Sequence, residues 1–591
     1  MSPSPISIVA TLGPASDERS QIAALADAGV SIARLNASHG ATDDRATAID
    51  HVRSVDAERD DTLAVMLDLP GPEIRTAPTD DPVHIETGSE LRLTTGDTVT
   101  ATEVGVSQSL SGVEPGDRVL LDDGRIETTV ERVDGETVVV TVDDGGDLGS
   151  RKGVNVPRVD LGLDVITERD ERELDLAAEA EVDFVAASFV RDGDDVYRII
   201  EALEARDAEI PVVAKIERAD AVANLDSIVE TTDGVMVARG DLGVECPLET
   251  VPLIQKRIIR RCHEAGVPVI TATEMLDSMV TAGRPTRAEA TDVANAVLDG
   301  TDAVMLSGET AIGDHPVHVV ETMDRIVRDV TDSEEYAELR EQRVPAAGES
   351  ATDALARSAR YLARDVGAST IVVASESGYT ARKVAKYRPE TPIVAATPDD
   401  SVRRRLVLSG NVTPVRVDLS GDGADAVIHD AIAAALDSGI AASGETVVAL
   451  AGMMNDISGV DTTNTLKIHT AAAVLATGRV AVSGYQTGPV HRVERDLAEV
   501  PDGAIAVLDD GFDDGLTGEI PDLAGIIDAR GGLTSYAAVL ARELELPMLV
   551  GTVLPEEIAD GTTVTVDANR GVVYEGRVDR AHADLPAGTG Q

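Results

Sequence analysis

VVAKIER (212–218), MVARGDLGVE (236–245), VITATEML (269–276) and AVMLSGET (303–310) form the stretch that decides the fold. Each piece opens as an apolar, β-branched run and closes in groups able to hold phosphate, metal or substrate. Lys215 and Glu217 close the first, Arg239 and Asp241 the second, Thr273 the third, Ser307 and Glu309 the fourth. A parallel barrel has this signature, because its strands are buried and its chemistry collects at their carboxyl ends. The pattern recurs upstream. SIVATLGP (7–14) supplies Thr11, VSIARLNASHG (30–40) supplies Arg34, Asn36 and Ser38, LAVMLDL (63–69) supplies Asp68, and VDFVAASFVR (182–191) supplies Ser188 and Arg191. Most of these eight candidate strands precede a candidate helix, such as 16–28 with Ser16 as N-cap. Strand–helix alternation predicts an α/β chain built on a (β/α)8 barrel.

Lys215, Glu217 and Asp241 point to phosphoryl transfer. Carboxylates are hard oxygen ligands suited to Mg²⁺, which takes one or two of them together with substrate oxygens. An ammonium beside them neutralises charge on a phosphoryl group in flight, where positioning and electrostatics dominate. The turn Gly240–Gly243 is expected to open a short helical turn whose N–H groups face an anion. A lone Lys-x-Glu pair is more often a surface ion pair. The combination on neighbouring barrel strands is far more specific.

These residues sit in motifs that resemble the pyruvate kinase family. The matching stretches are IVATLGPAS (8–16), ARLNASHG (33–40), DLPGPEIRT (68–76), LDDG (121–124), GSRKGVNVP (149–157), AASFVR (186–191), AKIER (214–218), MVARGDLGVE (236–245), TATEMLDSM (271–279) and MLSGETA (305–311). They follow family order. The resemblance implies conversion of phosphoenolpyruvate and ADP to pyruvate and ATP. By that resemblance Lys215 is the transition-state cation, and Glu217 and Asp241 hold a substrate-bridging Mg²⁺, with Mn²⁺ as its substitute. Gly240, Asp241 and Thr273 hold the substrate carboxylate, and Thr273 and Ser307 relay the proton that makes pyruvate. Arg34 and Arg75 clamp phosphate, as guanidinium geometry suits. Asn36, His39, Arg75 and Lys152 face the nucleotide. Asn36, Ser38, Asp68 and the Leu69 carbonyl form a K⁺ site, all through oxygen. Glu73 stands where the family carries either Glu or Lys; in the Lys form the ammonium takes the place of K⁺. Leu69, Pro70 and Glu274 depart from the common Thr, Lys and Gln; Glu274 adds negative charge beside an anionic substrate.

Interruptions of the barrel rhythm divide the chain. Residues 1–76 and 158–344 read as the barrel. Between them VHIET (83–87), ELRLTTGD (90–97) and 117–142 alternate with period two, with a hairpin turn at VDGE (133–136), so 77–157 reads as an inserted β-barrel lid carrying Asp123 and Lys152. A lid of this kind excludes water from the phosphates. PAAGES (345–350) reads as a linker into an α/β C domain, 345–477. Its SESGYT turn (375–380) precedes a helix expected near Ala381. By resemblance Ser375, Ser377, Gly378 and Thr380 cradle the phosphate of a sugar-phosphate or nucleotide effector; an ordinary strand–helix turn is the plainer alternative. The last segment, 478–591, contains GGLTSYAAVLARELELPMLVG (531–551), which resembles the swivelling domain of phosphoenolpyruvate-utilising enzymes. Tyr536 stands where active phosphocarriers have a histidine, so the resemblance reaches the fold and not the phosphocarrier chemistry. Two alternatives remain: another phosphoenolpyruvate-utilising phosphotransferase, and a non-catalytic effector-binding relative.

The 591 residues carry 51 Lys+Arg against 106 Asp+Glu, a net charge of −55, and only six residues are lysine. Acids are scattered through every segment. Such a surface suits molar salt, where the Debye length falls to about 3 Å and self-repulsion costs little. It disfavours nucleic acid and anionic membranes as partners. Cys246 and Cys262 form no metal or redox motif. With no charged-then-apolar leader and no long apolar run, the chain is expected to be cytoplasmic. The family resemblance implies a homotetramer.

Overall fold

The computed structural model describes residues 4–419, 424–452, 463–493, 496–509, 512, 520–530 and 532–578. Residues 1–3 of the expected barrel, 579–591 of the expected last domain, and Gly531 lie outside them. The chain forms two compact units. One comprises Met1–Gly348, Arg382–Arg388 and Asp399–Pro414; the other holds Glu349–Ala381, Pro389–Pro398 and Val415–Gln591.

In the first unit, eight parallel strands close a barrel: Ser7–Thr11, Val30–Asn36, Ala64–Asp68, Phe184–Ala187, Val212–Ile216, Gly234–Ala238, Val269–Ala272 and Ala303–Leu306. Alternate residues of each strand enter two different cores, as a two-residue period requires. Val9, Ile32, Met66, Ala186, Val213, Met236, Ile270 and Met305 fill the barrel interior. Ile8, Ala33, Leu67, Val185, Val212, Val237, Val269 and Val304 pack outward with the helices. The inward column, continued two residues towards the carboxyl end, becomes polar: Val9 leads to Thr11, Ile32 to Arg34 and Asn36, Met66 to Asp68, Ala186 to Ser188, and Val213 to Lys215 and Glu217. The site is therefore the upper layer of the same column that makes the core.

Three features differ from the sequence expectations. The first helix runs Arg19–Asp27, and Ser16 does not cap it. Instead the helix N-cap falls at Glu18, and the Ser16 hydroxyl accepts the Gly13 N–H at 3.2 Å inside the preceding turn. The interior is closed by Val407 and Leu408, which join the core of Val9, Met66 and Met236 although the sequence assigns them to the C domain. Their segment is tied to the barrel by Arg403–Asp56 at 2.7 Å and Arg404–Asp183 at 2.8 Å. Finally, Val474–Thr477 pairs antiparallel with Val572–Glu575, so these residues, which the sequence places in the C domain ending at 477, lie in the last sheet.

The insert after Ala77 forms a six-stranded sheet and a two-stranded ribbon, Val83–Ile85 with Gly146–Leu148, around one apolar core that includes Ile85, Leu91, Val119, Val140 and Leu148. Gly135 turns the hairpin between Ile126–Asp134 and Thr137–Asp144 with φ of 68°, which favours glycine.

The second unit holds two sheets. In the first, Thr370–Ala374 pairs parallel with Ile393–Thr397 on one side and Thr446–Gly452 on the other; Thr463–Thr470 adds antiparallel to Thr446–Gly452. The other sheet has eight strands between Val474 and Glu575. Its helix, Tyr536–Glu543, is capped by Ser535, whose hydroxyl accepts the Ala538 N–H at 3.2 Å.

Candidate active site

Lys215 is the hub of the polar layer. Its Nζ lies 2.7 Å from Glu217 Oε1 and 3.3 Å from Asp68 Oδ1, and donates to Ser188 Oγ at 2.7 Å. Arg34 donates through Nε to Asp68 Oδ2 at 2.6 Å and through Nη1 to Thr11 Oγ1 at 2.8 Å. Glu217 Oε2 accepts the Phe189 N–H at 2.7 Å. Five strand ends thus meet in one buried network.

The network's electrostatics follow from burial. Burial alone would raise the Asp68 carboxyl, but Arg34 and Lys215 hold it below the usual carboxylate range. Burial opposes the charge on Lys215, yet Asp68 and Glu217 raise its pKa. For Glu217 burial wins over Lys215 and pushes the carboxyl up to about 7. Burial also raises Asp241, against the pull of Lys215. Asp68, Glu217 and Asp241 are three carboxylates served by two cations, Arg34 and Lys215. That surplus of desolvated negative charge is what a divalent cation relieves, and both Glu217 and Asp241 offer hard oxygen. The donor set therefore fits Mg²⁺.

Thr273 reaches the site by breaking the strand period. Ala272 points inward, so an extended Thr273 would point away. Thr273 and Glu274 instead take left-handed φ of 67° and 53°. The Thr273 hydroxyl then accepts the Gly240 N–H at 2.8 Å. Arg239 holds this turn: Nε donates to the Ala272 carbonyl at 3.0 Å and Nη2 to the Thr273 carbonyl at 2.8 Å, while Nη1 pairs with Asp292 at 2.7 Å. Arg239 was visible in the motif, but its grip on an unusual backbone has no sequence signal. Gly240 and Asp241 lie in the first turn of the helix Arg239–Glu245. Glu274 is exposed to solvent, which screens the negative charge that the sequence placed beside the substrate. Ser307 donates its N–H to Glu309 Oε2 at 2.6 Å, and Glu309 Oε1 accepts from Leu276 at 3.0 Å. Glu309 therefore braces two loops rather than facing a ligand.

Around the expected K⁺ ligands, Asn36 Oδ1 accepts the Ser38 N–H at 3.0 Å, and the Leu69 carbonyl accepts the Ser188 hydroxyl at 2.7 Å. Ser188, named from sequence without a role, thus links Lys215 to Leu69. Ser38 Oγ is 3.4 Å from Glu73 Oε1, and Glu73 Oε2 accepts from Arg75 Nε at 2.9 Å. A cleft of about 330 Å³ opens between barrel and insert, lined by His39, Glu73, Arg75, Asp123, Lys152 and Asp241 among others. All the expected nucleotide residues except Asn36 face it.

The expected effector loop lies in the other unit. Its helix starts at Tyr379, two residues earlier than expected, because Ser377 Oγ accepts the Tyr379 N–H at 3.4 Å and Gly378 supplies φ of 73°. Ser375 and Thr380 are buried, and the Thr380 hydroxyl is 2.6 Å from that of Thr463. Tyr536 opens its helix with the side chain half exposed. Among the described residues no helix is long and apolar enough to cross a membrane.

A closed parallel barrel whose carboxyl end gathers a buried lysine, paired acids and arginines beside an inserted β domain defines a phosphotransferase. Residues 4–320 match the pyruvate kinase barrel domain, 353–469 the pyruvate kinase alpha/beta domain, and 500–571 the mobile domain of PEP-utilising enzymes. The chain belongs to the pyruvate kinase family. It is 40% identical to the pyruvate kinase of Bacillus licheniformis over 582 residues, covering 96% of this chain and 98% of that one. Identity to the pyruvate kinase of Geobacillus stearothermophilus is 41% over 580 residues, with the same coverage. Among solved structures, a pyruvate kinase from Cryptosporidium parvum superposes with a TM-score of 0.73 at 36% identity, over 79% of this chain and 96% of its own.

Proposed function

We propose that this chain transfers the phosphoryl group of phosphoenolpyruvate to ADP, giving pyruvate and ATP. The observation that carries the proposal is Lys215 Nζ, fixed by Glu217, Asp68 and Ser188 within 3.3 Å at the carboxyl end of the barrel. Loss of the phosphoryl group leaves an enolate oxygen, and a preorganised ammonium stabilises that charge as it develops. Glu217 and Asp241 hold Mg²⁺, which supplies Lewis-acid polarisation of the substrate oxygens. Gly240, Asp241 and Thr273 orient the substrate carboxylate, and Thr273 and Ser307 deliver the proton to the enolate carbon. Arg34 and Arg75 clamp phosphate; Asn36, His39 and Lys152 face the nucleotide. Asn36, Ser38, Asp68 and the Leu69 carbonyl bind K⁺. A lactate-dehydrogenase-coupled assay at molar KCl is expected to report pyruvate only when phosphoenolpyruvate, ADP and Mg²⁺ are all present. Pyruvate formation without ADP would overturn the reading.

The same proposal extends to the rest of the chain. Residues 77–157 act as a lid, 345–473 as a C domain whose 375–380 loop takes a phosphorylated effector, and 474–591 as a swivelling-type passenger. The assembly is a cytoplasmic homotetramer. Tyr536 has no imidazole, so incubation with labelled phosphoenolpyruvate is expected to leave no acid-labile phosphate on the last domain. Phosphohistidine found there would refute the passenger role.

A net charge of −55 supports adaptation to molar salt. The melting temperature is expected to rise as KCl goes from 0.1 to 3 M, roughly the range over which the Debye length shrinks from 10 Å to below 3 Å. A melting temperature that is flat or falling with salt would count against the adaptation.

A further inference from the structure

Lys152 is one of six lysines in a chain that otherwise uses arginine as its basic residue, and it faces the cleft. Three elements fix it. Its backbone is clamped to the segment that leads from the barrel into the insert: Thr76 donates its N–H to the Lys152 carbonyl at 2.8 Å, and Lys152 donates its own to Thr76 Oγ1 at 2.8 Å. Its stem crosses Gly149 so closely that a Cβ there would lie 2.9 Å from Lys152 Cε. Its ammonium ends 2.9 Å from Asp122 Oδ1.

Asp122 is unusual in its own right. It and Asp123 take consecutive left-handed φ of 53° and 56°, followed by Gly124 at 81°. Non-glycine residues seldom adopt this conformation, and two in a row need the surroundings to hold them. The result separates two adjacent carboxylates. Asp123 lines the cleft, whereas Asp122 does not and is only 5% exposed. Asp122 is itself held by its N–H, which donates to the Gly153 carbonyl at 3.0 Å. Although Lys152 Nζ is close to Asp122 Oδ1, that oxygen accepts no well-directed hydrogen bond. The contact is one of charge.

We propose that Asp122 is a positioning residue for the nucleotide: buried behind the cleft wall, it holds the Lys152 ammonium at the place where the diphosphate of ADP docks. Asp122 touches no ligand itself. This rests on the reading of Lys152 as a nucleotide residue. A buried carboxylate fixes a flexible lysine at its free end, so that little rotamer freedom is lost when phosphate arrives. A side chain at Gly149 would press on the lysine stem along its present path.

The test is steady-state kinetics on the full-length enzyme at molar KCl, with ADP and phosphoenolpyruvate varied separately. Asp122→Asn is expected to raise KM for ADP about tenfold, with KM for phosphoenolpyruvate within twofold of wild type. Gly149→Ala displaces the stem without altering charge and is expected to shift KM for ADP in the same direction. Lys152→Ala should raise it at least as far, and adding Asp122→Asn to Lys152→Ala should change nothing more. If Lys152→Ala leaves KM for ADP unchanged, the nucleotide reading falls and the inference with it. If Lys152→Ala raises KM but Asp122→Asn does not, or if their effects multiply, the inference alone is overturned. Should Asp122→Asn fail to fold, Gly149→Ala decides: an unchanged KM for ADP overturns the inference.

Discussion

Lys215→Met is expected to lower turnover by at least a hundredfold while the barrel stays folded. Methionine keeps the length and apolar body of the stem and removes only the ammonium. Loss of a preorganised cation at developing charge costs roughly 3 kcal/mol of barrier, or about a hundredfold in rate. The structure adds a stability effect. Lys215 is the partner of Glu217 at 2.7 Å, and removing one member of a buried ion pair costs about 3–5 kcal/mol when the other stays charged. Glu217 does not have to stay charged. Burial already pushes its carboxyl up to about 7, so without Lys215 it takes a proton and part of the cost disappears. Asp68 keeps Arg34 at 2.6 Å. The melting temperature should therefore fall by several degrees without unfolding at assay temperature. The rise in melting temperature on adding Mg²⁺ should survive, since Mg²⁺ can displace the proton from Glu217 and Asp241 remains. Near-native turnover in the coupled assay would remove Lys215 from its assigned role. A loss of turnover accompanied by loss of the circular dichroism signal would mean the variant reports on folding, and Lys215→Arg would then separate charge from packing.

The legibility of this chain followed the period of its strands. Val213, Lys215 and Glu217 lie at spacing two, so the residue that fills the core predicts the direction of those that carry the chemistry. Arg34, Asp68 and Ser188 were readable for the same reason. Thr273 was readable only through its motif, because two left-handed residues cancel the alternation there. Arg239 was read as a strand end, and its role in gripping that turn depends on carbonyls that no side-chain pattern encodes. Long-range closure was equally hidden. Val407 and Leu408 fall inside the segment that the sequence assigns to the C domain, yet they plug a barrel whose first strand begins 400 residues earlier, where the Ser7 hydroxyl donates to the Val407 carbonyl. The placement of Val474–Thr477 failed for a related reason: a four-residue edge strand carries too little pattern to reveal its partner nearly 100 residues later.

Replacing KCl by an equal concentration of tetramethylammonium chloride is expected to lower turnover at least tenfold. The ligands proposed for K⁺ are already organised. Asn36 Oδ1 is oriented by the Ser38 N–H, and the Leu69 carbonyl by Ser188, which also contacts Lys215. A cation at these oxygens would sit next to the network that holds Lys215. Glu73 supplies the charge argument. It lies 3.4 Å from Ser38 and lines the cleft where phosphates are proposed to dock. Two like charges about 4 Å apart repel by roughly 4 kcal/mol at an effective dielectric of 20, and a monovalent cation between them reverses much of that. Tetramethylammonium carries the same charge but cannot accept oxygen ligands, so it screens without binding. Ionic strength is thereby held constant, and the acidic surface keeps its salt; circular dichroism in both salts checks the fold. Glu73→Lys is expected to narrow the gap between the two salts, because its ammonium would reach the Ser38 side of the site. It would also lose the 2.9 Å contact to Arg75 and place a like charge there, so KM for ADP should rise in the same variant. Equal turnover of the wild type in the two salts, with the fold intact, would mean that no monovalent cation is used at Asn36, Ser38, Asp68 and Leu69.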